Sequence, residues 1–291
     1  MTKISPLSSL GREISWATHR FRFYNMAPLL VTMILASCSS VPLTKSGTLK
    51  SYDQLGSVEG VLSKSRSFAD SQVLLAAKTV SISPTRLSPQ VYTKLRDEKN
   101  GELVANVLDR TLCIDLSDKF RVVSPEKGAD LNIQAVITDI VPTQKVAAGV
   151  SEAVTLGSSV VLPVGVPRLP IGLGGLAVEA EAIDSNGTQR AAIIWSRGAN
   201  SITNSPRISE IGDAYGLASS FSDQFAQLLS KGKKPQGLNL SIPSPQKLSS
   251  RLGGTPKYSA CTAFGKGTGL AGAFGNLLGA PPSWTDKSAG L

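Results

Sequence analysis

The chain has 291 residues, a net charge of +9 and only 5% aromatic residues. Lys3, Arg12, Arg20 and Arg22 outweigh Glu13 at the start, and Lys233, Lys234, Lys247, Arg251, Lys257, Lys266 and Lys287 outweigh Asp286 at the end, so the middle is balanced; this argues against a nucleic-acid-binding face on the body. The single histidine, His19, lies near the N-terminus, which leaves the rest of the chain without an imidazole for a catalytic triad or a metal site.

The stretch from Ala27 to Leu35 is mostly apolar, too short to span a bilayer stably, and preceded by the cationic flank. It runs into Leu35-Ala36-Ser37-Cys38 and then a small polar linker. This arrangement resembles a bacterial lipobox. The resemblance implies a lipoprotein signal peptide over residues 1–37, cleavage before Cys38 (which would remove His19), and palmitate-type acylation of Cys38. Translation from Met26 would keep the apolar run but lose the charged side chains before it. Several acyl chains on one residue anchor durably where a single chain binds marginally. Ser39 and Ser40 follow with no Asp at the second position; by resemblance to Gram-negative lipoproteins this implies an outer-membrane anchor with the body facing the periplasm. No later stretch is long and apolar enough to span a membrane, so the acyl group is the sole expected anchor.

Residues 38–72 read as a tether and partly ordered lead-in, rich in Ser, Gly and Thr as far as Tyr52. An apolar run from Val73 to Ile82, bounded by Pro84 and Pro89, predicts a strand. The clearest helix is predicted from Glu102 to Phe120, started by Asn100-Gly101, with Leu103, Val104, Val107, Leu108, Leu112 and Ile114 on one face. Phe120 to Val123 reads as a short strand and Pro125 to Gly128 as a turn. Leu131 to Val141 alternates as a strand, with Leu131, Ile133, Ala135, Ile137 and then Asp139 on one face, opposite Asn132, Gln134, Val136, Thr138 and Ile140.

Residues 146–173 form an apolar, glycine- and proline-rich excursion with Glu152 and Arg168 as its charges. A hairpin follows: Leu176 to Ile183, the turn Asp184-Ser185-Asn186-Gly187, then Ala191 to Arg197. Glu210 to Lys231 is a second amphipathic helix, stopped by Gly232. Two greasy helices need one shared surface. The predicted fold is therefore α+β, a two-layer sandwich of a mixed or antiparallel sheet with two amphipathic helices on one face, in a domain over residues 73–232. Residues 233–291 read as a basic, mostly disordered tail, with a weak apolar patch from Leu270 to Leu278 and Trp284 as a docking residue. An oxidising compartment permits Cys113 to pair with Cys261 and tie the tail to the body; otherwise Cys113 is a small buried hydrophobe.

Glu179 and Glu181 share one strand face. They are a candidate carboxylate pair of glycosidase type, weighed against a solvated face or an ion pair with Arg190 or Arg197; Asp184 belongs to the turn. Gly172-Leu173-Gly174-Gly175 lacks the Lys-Ser/Thr of a phosphate loop and precedes a strand, so tight packing at the strand entry explains it better. Gly265-Lys266-Gly267-Thr268-Gly269 likewise lacks a suitable helix. No catalytic, cofactor or metal site is predicted; the one assigned site is Cys38.

The stretch from Gly174 to Ser185 continuing to Ala191-Ala192, with Phe120-Arg121-Val122-Val123 and the run from Ala129 to Ile140, resembles an uncharacterised proteobacterial lipoprotein family, the domain of unknown function 3313. The likeness would cover about residues 47–230. The turn Ser185-Asn186-Gly187-Thr188 departs from the family's usual Thr-Gly-Glu. The resemblance implies periplasmic exposure and an accessory role, and no known reaction. The expected function is a non-catalytic outer-membrane lipoprotein, an envelope adaptor or assembly component. It would meet an envelope protein or peptidoglycan through the excursion, while the basic tail touches anionic lipid or peptidoglycan. The alternative is a periplasmic small-molecule or lipid-binding module with a cavity between helices and sheet. A carboxylate-based hydrolase would need Glu179, Glu181 or Asp139 in a cleft.

Overall fold

Alternating strands and amphipathic helices need a common apolar surface, and the computed structural model shows how this chain supplies it. Residues 41–144, 172–200, 209–234, 243–270, 272, 275 and 280–286 are described. His19, Cys38 and nearly all of the 146–173 excursion lie outside them. In chain order the elements are β1 (Lys64–Ala69), α1 (Ser71–Ala76), β2 (Thr79–Ile82), β3 (Arg86–Leu87), α2 (Pro89–Lys94), α3 (Glu98–Leu116), β4 (Arg121–Val122), β5 (Leu131–Val141), β6 (Gly175–Asp184), β7 (Gln189–Gly198), α4 (Gly212–Lys231), α5 (Pro245–Arg251) and α6 (Pro282–Thr285). The strands form one mixed sheet in the order β1-β7-β6-β5-β2-β4, with β3 also paired to β5. The β1, β7, β6 and β5 neighbours run antiparallel, whereas β2 is parallel to both β5 and β4. The fold is α+β, as the sequence predicts.

One sheet face carries Ile133, Val178, Ala180, Ile193 and Trp195, all buried with the apolar sides of α3 and α4. Phe221 of α4 meets the Trp195 ring edge-on at 5.6 Å and stacks with Phe225 at 5.8 Å. The Trp195 indole N–H is satisfied by Gln224 Oε1 at 2.8 Å. Such fully buried aromatics bring large apolar area and a defined geometry to the helix–sheet seam.

The local differences from the sequence reading have local causes. The first half of the strand predicted over 73–82 is helix α1, because the Asp70 carboxylate accepts the Val73 N–H at 3.3 Å and caps a turn whose only buried residue is Leu74. Helix α3 begins at Glu98, capped by Asp97, before the predicted start. Gly101 then lies inside it, because a side chain there would come within 2.7 Å of Leu87. In β5, Thr138 is an extra residue: Ile137 pairs with Val178 but Asp139 pairs with Ala177. This bulge reverses the predicted alternation, returning Ile140 to the core and sending Asp139 to the outer face, where it meets Lys94 at 2.6 Å. The elements β1, β3 and α2 have no counterpart in the sequence reading.

The other sheet face is also covered. Leu49 and Leu55 of the segment before β1 pack on Ala192 and Ile194 of β7. The expected free tether is therefore, from Val41 onwards, a strap laid along the sheet.

Candidate functional site

The strap is built on the two glutamates that the sequence singles out. The β pleat turns Val178, Ala180 and Ala182 to the helices and leaves Glu179 and Glu181 on the strap side. Glu179 is fully buried. Its Oε1 accepts the Ser46 N–H at 2.8 Å, and its Oε2 accepts the Tyr52 hydroxyl at 2.6 Å, the Thr48 N–H at 3.2 Å and the Thr48 hydroxyl. Glu181 accepts the Lys50 N–H at 2.9 Å and the Gln189 amide at 2.6 Å, and the same amide reaches the Ser51 carbonyl at 3.2 Å. Burial, then the bond to Glu179, raises the Tyr52 phenol above its ordinary pKa. The Lys45 ammonium lies 5.5 Å from the Tyr52 ring centroid. Buried carboxylates persist only when they are hydrogen-bonded, and here backbone N–H groups of the strap act together with the Thr48 and Tyr52 hydroxyls and the Gln189 amide.

Neither glutamate forms the weighed ion pair with Arg190 or Arg197, and neither lines a solvated face. Arg190 instead bridges Asp184 at 2.7 Å and Asp70 at 2.9 Å. Asp184 also accepts the Asn186 and Thr188 N–H groups, closing a turn in which Gly187 takes φ +77°. Arg197 is half-buried; its Nε is buried with no acceptor, and loss of water lowers its pKa. Asp139 sits in its bridge to Lys94 at 2.6 Å, so each of the acids weighed for a hydrolase is engaged by other groups of the chain. Among the described residues no group of three His, Cys, Asp or Glu is arranged to hold a metal ion.

The glycine run before β6 reflects close approach of other chain segments. A side chain on residue 174 would come within 2.6 Å of Thr143 Oγ1 and 2.8 Å of the Val141 carbonyl; one on residue 175 would overlap the Val41 side chain. Val41 is buried there, and its carbonyl accepts the Ser196 hydroxyl at 3.1 Å.

Within residues 233–291, read from the sequence as a mostly disordered tail, the described residues include α5 and α6 and make contacts with α3 and α4. Cys113 of α3 forms a disulfide with Cys261. Arg110 of α3 grips Asp286 with two nitrogens at 3.0 and 2.8 Å, and the Tyr215 hydroxyl of α4 donates to the same carboxylate. Burial drives the Tyr215 phenol well above its usual range. Asp115 holds Arg251 at 2.6 Å and Lys247 at 3.2 Å, while burial pushes its own pKa up. Trp284 is 76% exposed and does not dock; Asp286 makes the contact instead. Its signal in the sequence is its isolation, one acid among seven tail cations. Tyr52 and Thr48 carry no comparable signal.

Among the described residues, cavities lie outside the helix–sheet core. One of about 180 Å³ sits between α3, α4 and the tail, beside Arg110, Tyr215 and Arg251. Another is an open groove of about 680 Å³ at the β2–β4 edge, lined by Lys78, Arg121, Lys127, Asp130 and Tyr258. No helix among the described residues is long and apolar enough to cross a membrane.

The family described as protein of unknown function (DUF3313) matches residues 44–225. Among solved structures, a PelC dodecamer from Paraburkholderia phytofirmans is 14% identical, with 60% of this chain and 99% of that chain covered and a TM-score of 0.35. A point variant of the same dodecamer gives the same identity and coverage with a TM-score of 0.33. No curated protein matches the sequence.

Proposed function

The chain belongs to the family of proteins of unknown function DUF3313, and from that premise we propose that it is a non-catalytic outer-membrane lipoprotein. In this reading it is anchored by acyl chains on Cys38, faces the periplasm, and serves as an envelope adaptor or assembly component for an envelope protein or peptidoglycan. The observation that carries the non-catalytic part is the state of Glu179: the one acidic pair resembling a hydrolytic site accepts hydrogen bonds from the chain's own lead-in. A buried carboxylate engaged by the chain's own donors is poorly placed to act as a general acid or base on a substrate. The anchor rests on the sequence at Cys38. Crosslinking in intact cells, followed by recovery of the partner, tests the adaptor role. Mass spectrometry of the mature N-terminus and membrane fractionation test the anchor: Cys38→Ala should leave the membrane fraction, and a variant that stays bound overturns the single-anchor reading.

A second reading, a small-molecule-binding module, draws on the β2–β4 groove, where Lys78, Arg121 and Lys127 suit an anionic ligand. A melting shift with a panel of anions that Arg121→Gln abolishes would support it.

A further inference from the structure

Single exposed aliphatic side chains are ordinary, but several on one short loop mark a contact surface. The segment leading into β1 carries such a group: Val58 is 57% exposed, Val61 98% and Leu62 59%. The loop is held in this form by its own bonds. Glu59 and Ser65 exchange N–H···O bonds at 2.9 Å, so the chain doubles back into β1. Gly60 turns it at φ +98°, where a side chain would overlap the Ser63 carbonyl. The Ser63 hydroxyl then donates to Gln224 Oε1 of α4 at 3.3 Å. Val61 and Leu62 stand at the tip, between Gly60 and Ser63.

Position and charge say what covers them. Val41 lies three positions after Cys38, at most about 10 Å of extended backbone. Its carbonyl accepts the Ser196 hydroxyl at 3.1 Å, and Ser196 pairs with Lys64 across β7 and β1. Leu62 precedes Lys64 by two residues. With strands about 5 Å apart and about 3.5 Å per residue, the tip lies within roughly 30 Å of Cys38. The acid of the loop, Glu59, is paired with Lys234 at 2.7 Å. Lys64, two residues after Leu62, and Lys233, next to Lys234, are exposed. Aliphatic side chains beside lysines suit the boundary between acyl chains and anionic headgroups, where the lysine stems lie along apolar surface and the ammonium groups stay at the phosphates. Val61 stands almost wholly clear of the protein, and a fluid bilayer receives such a side chain without a matching pocket.

We infer that the 58–62 loop is a membrane-docking tip: Val61 and Leu62 enter the headgroup–acyl boundary of the bilayer that holds Cys38, and Lys64 and Lys233 meet its anionic headgroups. This rests on the reading of Cys38 as the lipid-bearing residue. The acyl chains keep the protein at the surface, and the loop adds a second contact that sets which side of the body faces the lipid.

The test uses the mature lipidated protein, with its disulfide intact, on phosphatidylethanolamine–phosphatidylglycerol vesicles carrying a headgroup nitroxide quencher. An environment-sensitive fluorophore is placed through Val61→Cys or, as a control, through Asn186→Cys, exposed in the β6–β7 turn. On the vesicles the Val61 label should shift to the blue and be quenched severalfold more than the Asn186 label. Adding Val58→Asp and Leu62→Asp should abolish that response while the protein still floats with the vesicles and melts as before, because these side chains are exposed. Lys64→Gln with Lys233→Gln should weaken it at least twofold. If the protein carries acyl chains and floats, yet the Val61 label stays in water or Asn186 responds equally, the inference is wrong and the anchor stands. A blue shift of the Val61 label in unlipidated Cys38→Ala protein, growing with protein concentration in buffer, means that a second copy covers the loop and also overturns the inference. A protein without acyl chains that does not float overturns both the inference and the anchor.

Discussion

The Tyr52 hydroxyl donates to the Glu179 carboxylate at 2.6 Å across 127 positions of sequence. That bond joins the segment next to the proposed anchor to the centre of the sheet. Tyr52→Phe removes one donor to a buried carboxylate and should cost about 1.5–3 kcal/mol in urea denaturation. Glu179→Ala also strands the Ser46 and Thr48 N–H groups, so it should cost more and open residues 45–55 to protease while α3 and α4 stay protected. Unchanged cleavage in that segment would show that the strap is held without the bonds to Glu179.

The Cys113–Cys261 disulfide closes a separation of 148 residues. Constraining so long a loop restricts the unfolded chain, so Cys261→Ala should lower stability by about 2–4 kcal/mol. The oxidised protein should run faster than the reduced protein on a denaturing gel, and equal mobility would rule the bond out.

Arg110 and Asp286 form a buried pair between α3 and the end of the tail. Removing one member leaves a buried charge alone, so Asp286→Ala should cost about 3–5 kcal/mol, while the double variant Arg110→Met with Asp286→Ala should recover much of that loss. A double-mutant cycle with no coupling would mean that the tail is held by its other contacts, the disulfide and Asp115 among them.

Burial pushes the Asp109 carboxyl up to about 7, although it accepts the Thr85 N–H at 2.9 Å and the Thr85 hydroxyl at 2.5 Å. The unfolded side chain titrates near 4, so between those values the folded state binds more protons than the unfolded state. The Asp109 contribution is complete below about pH 4, declines as pH rises towards 7, and is flat above that. Asp109→Asn should flatten this part of the pH–stability curve, with the variant gaining on the parent between pH 4.5 and pH 8. Parallel curves would place the titration elsewhere.

Arg197 is charged, half-buried and without an acceptor at its Nε. Arg197→Met should keep the packing of the stem and relieve the desolvation of the charge. Its melting temperature should rise, and a fall would show that the guanidinium supports the fold itself.

The amphipathic faces of α3 and α4 were legible because each is written within a few turns of helix, where Leu108, Leu112, Phe221 and Phe225 recur at the helical period. The β6–β7 hairpin was legible because alternation on both sides of Asp184-Ser185-Asn186-Gly187 is a local pattern. The bulge at Thr138 was not, since a period of two in β5 says nothing about which residue the neighbouring strand will skip. The Val73–Ile82 run misled because apolar residues alone do not separate a short helix from a strand; Asp70 decided it by capping. The carboxylate pair was visible as two glutamates on one strand face, but its role depended on which donors the fold brought to it.

Residue order by itself determined the two greasy helices, the alternating strands, the charge-neutral middle and the near-absence of histidine, because propensity and periodicity act over a few neighbouring residues. Only the tertiary structure decided that Ser46, Thr48 and Tyr52 bond to Glu179, that Cys113 meets Cys261, and that Arg110 meets Asp286. Those partners lie more than a hundred positions apart and leave no local pattern. A buried charge takes the partner that chain folding delivers to it, and the cost of leaving it unsatisfied then holds both segments in place.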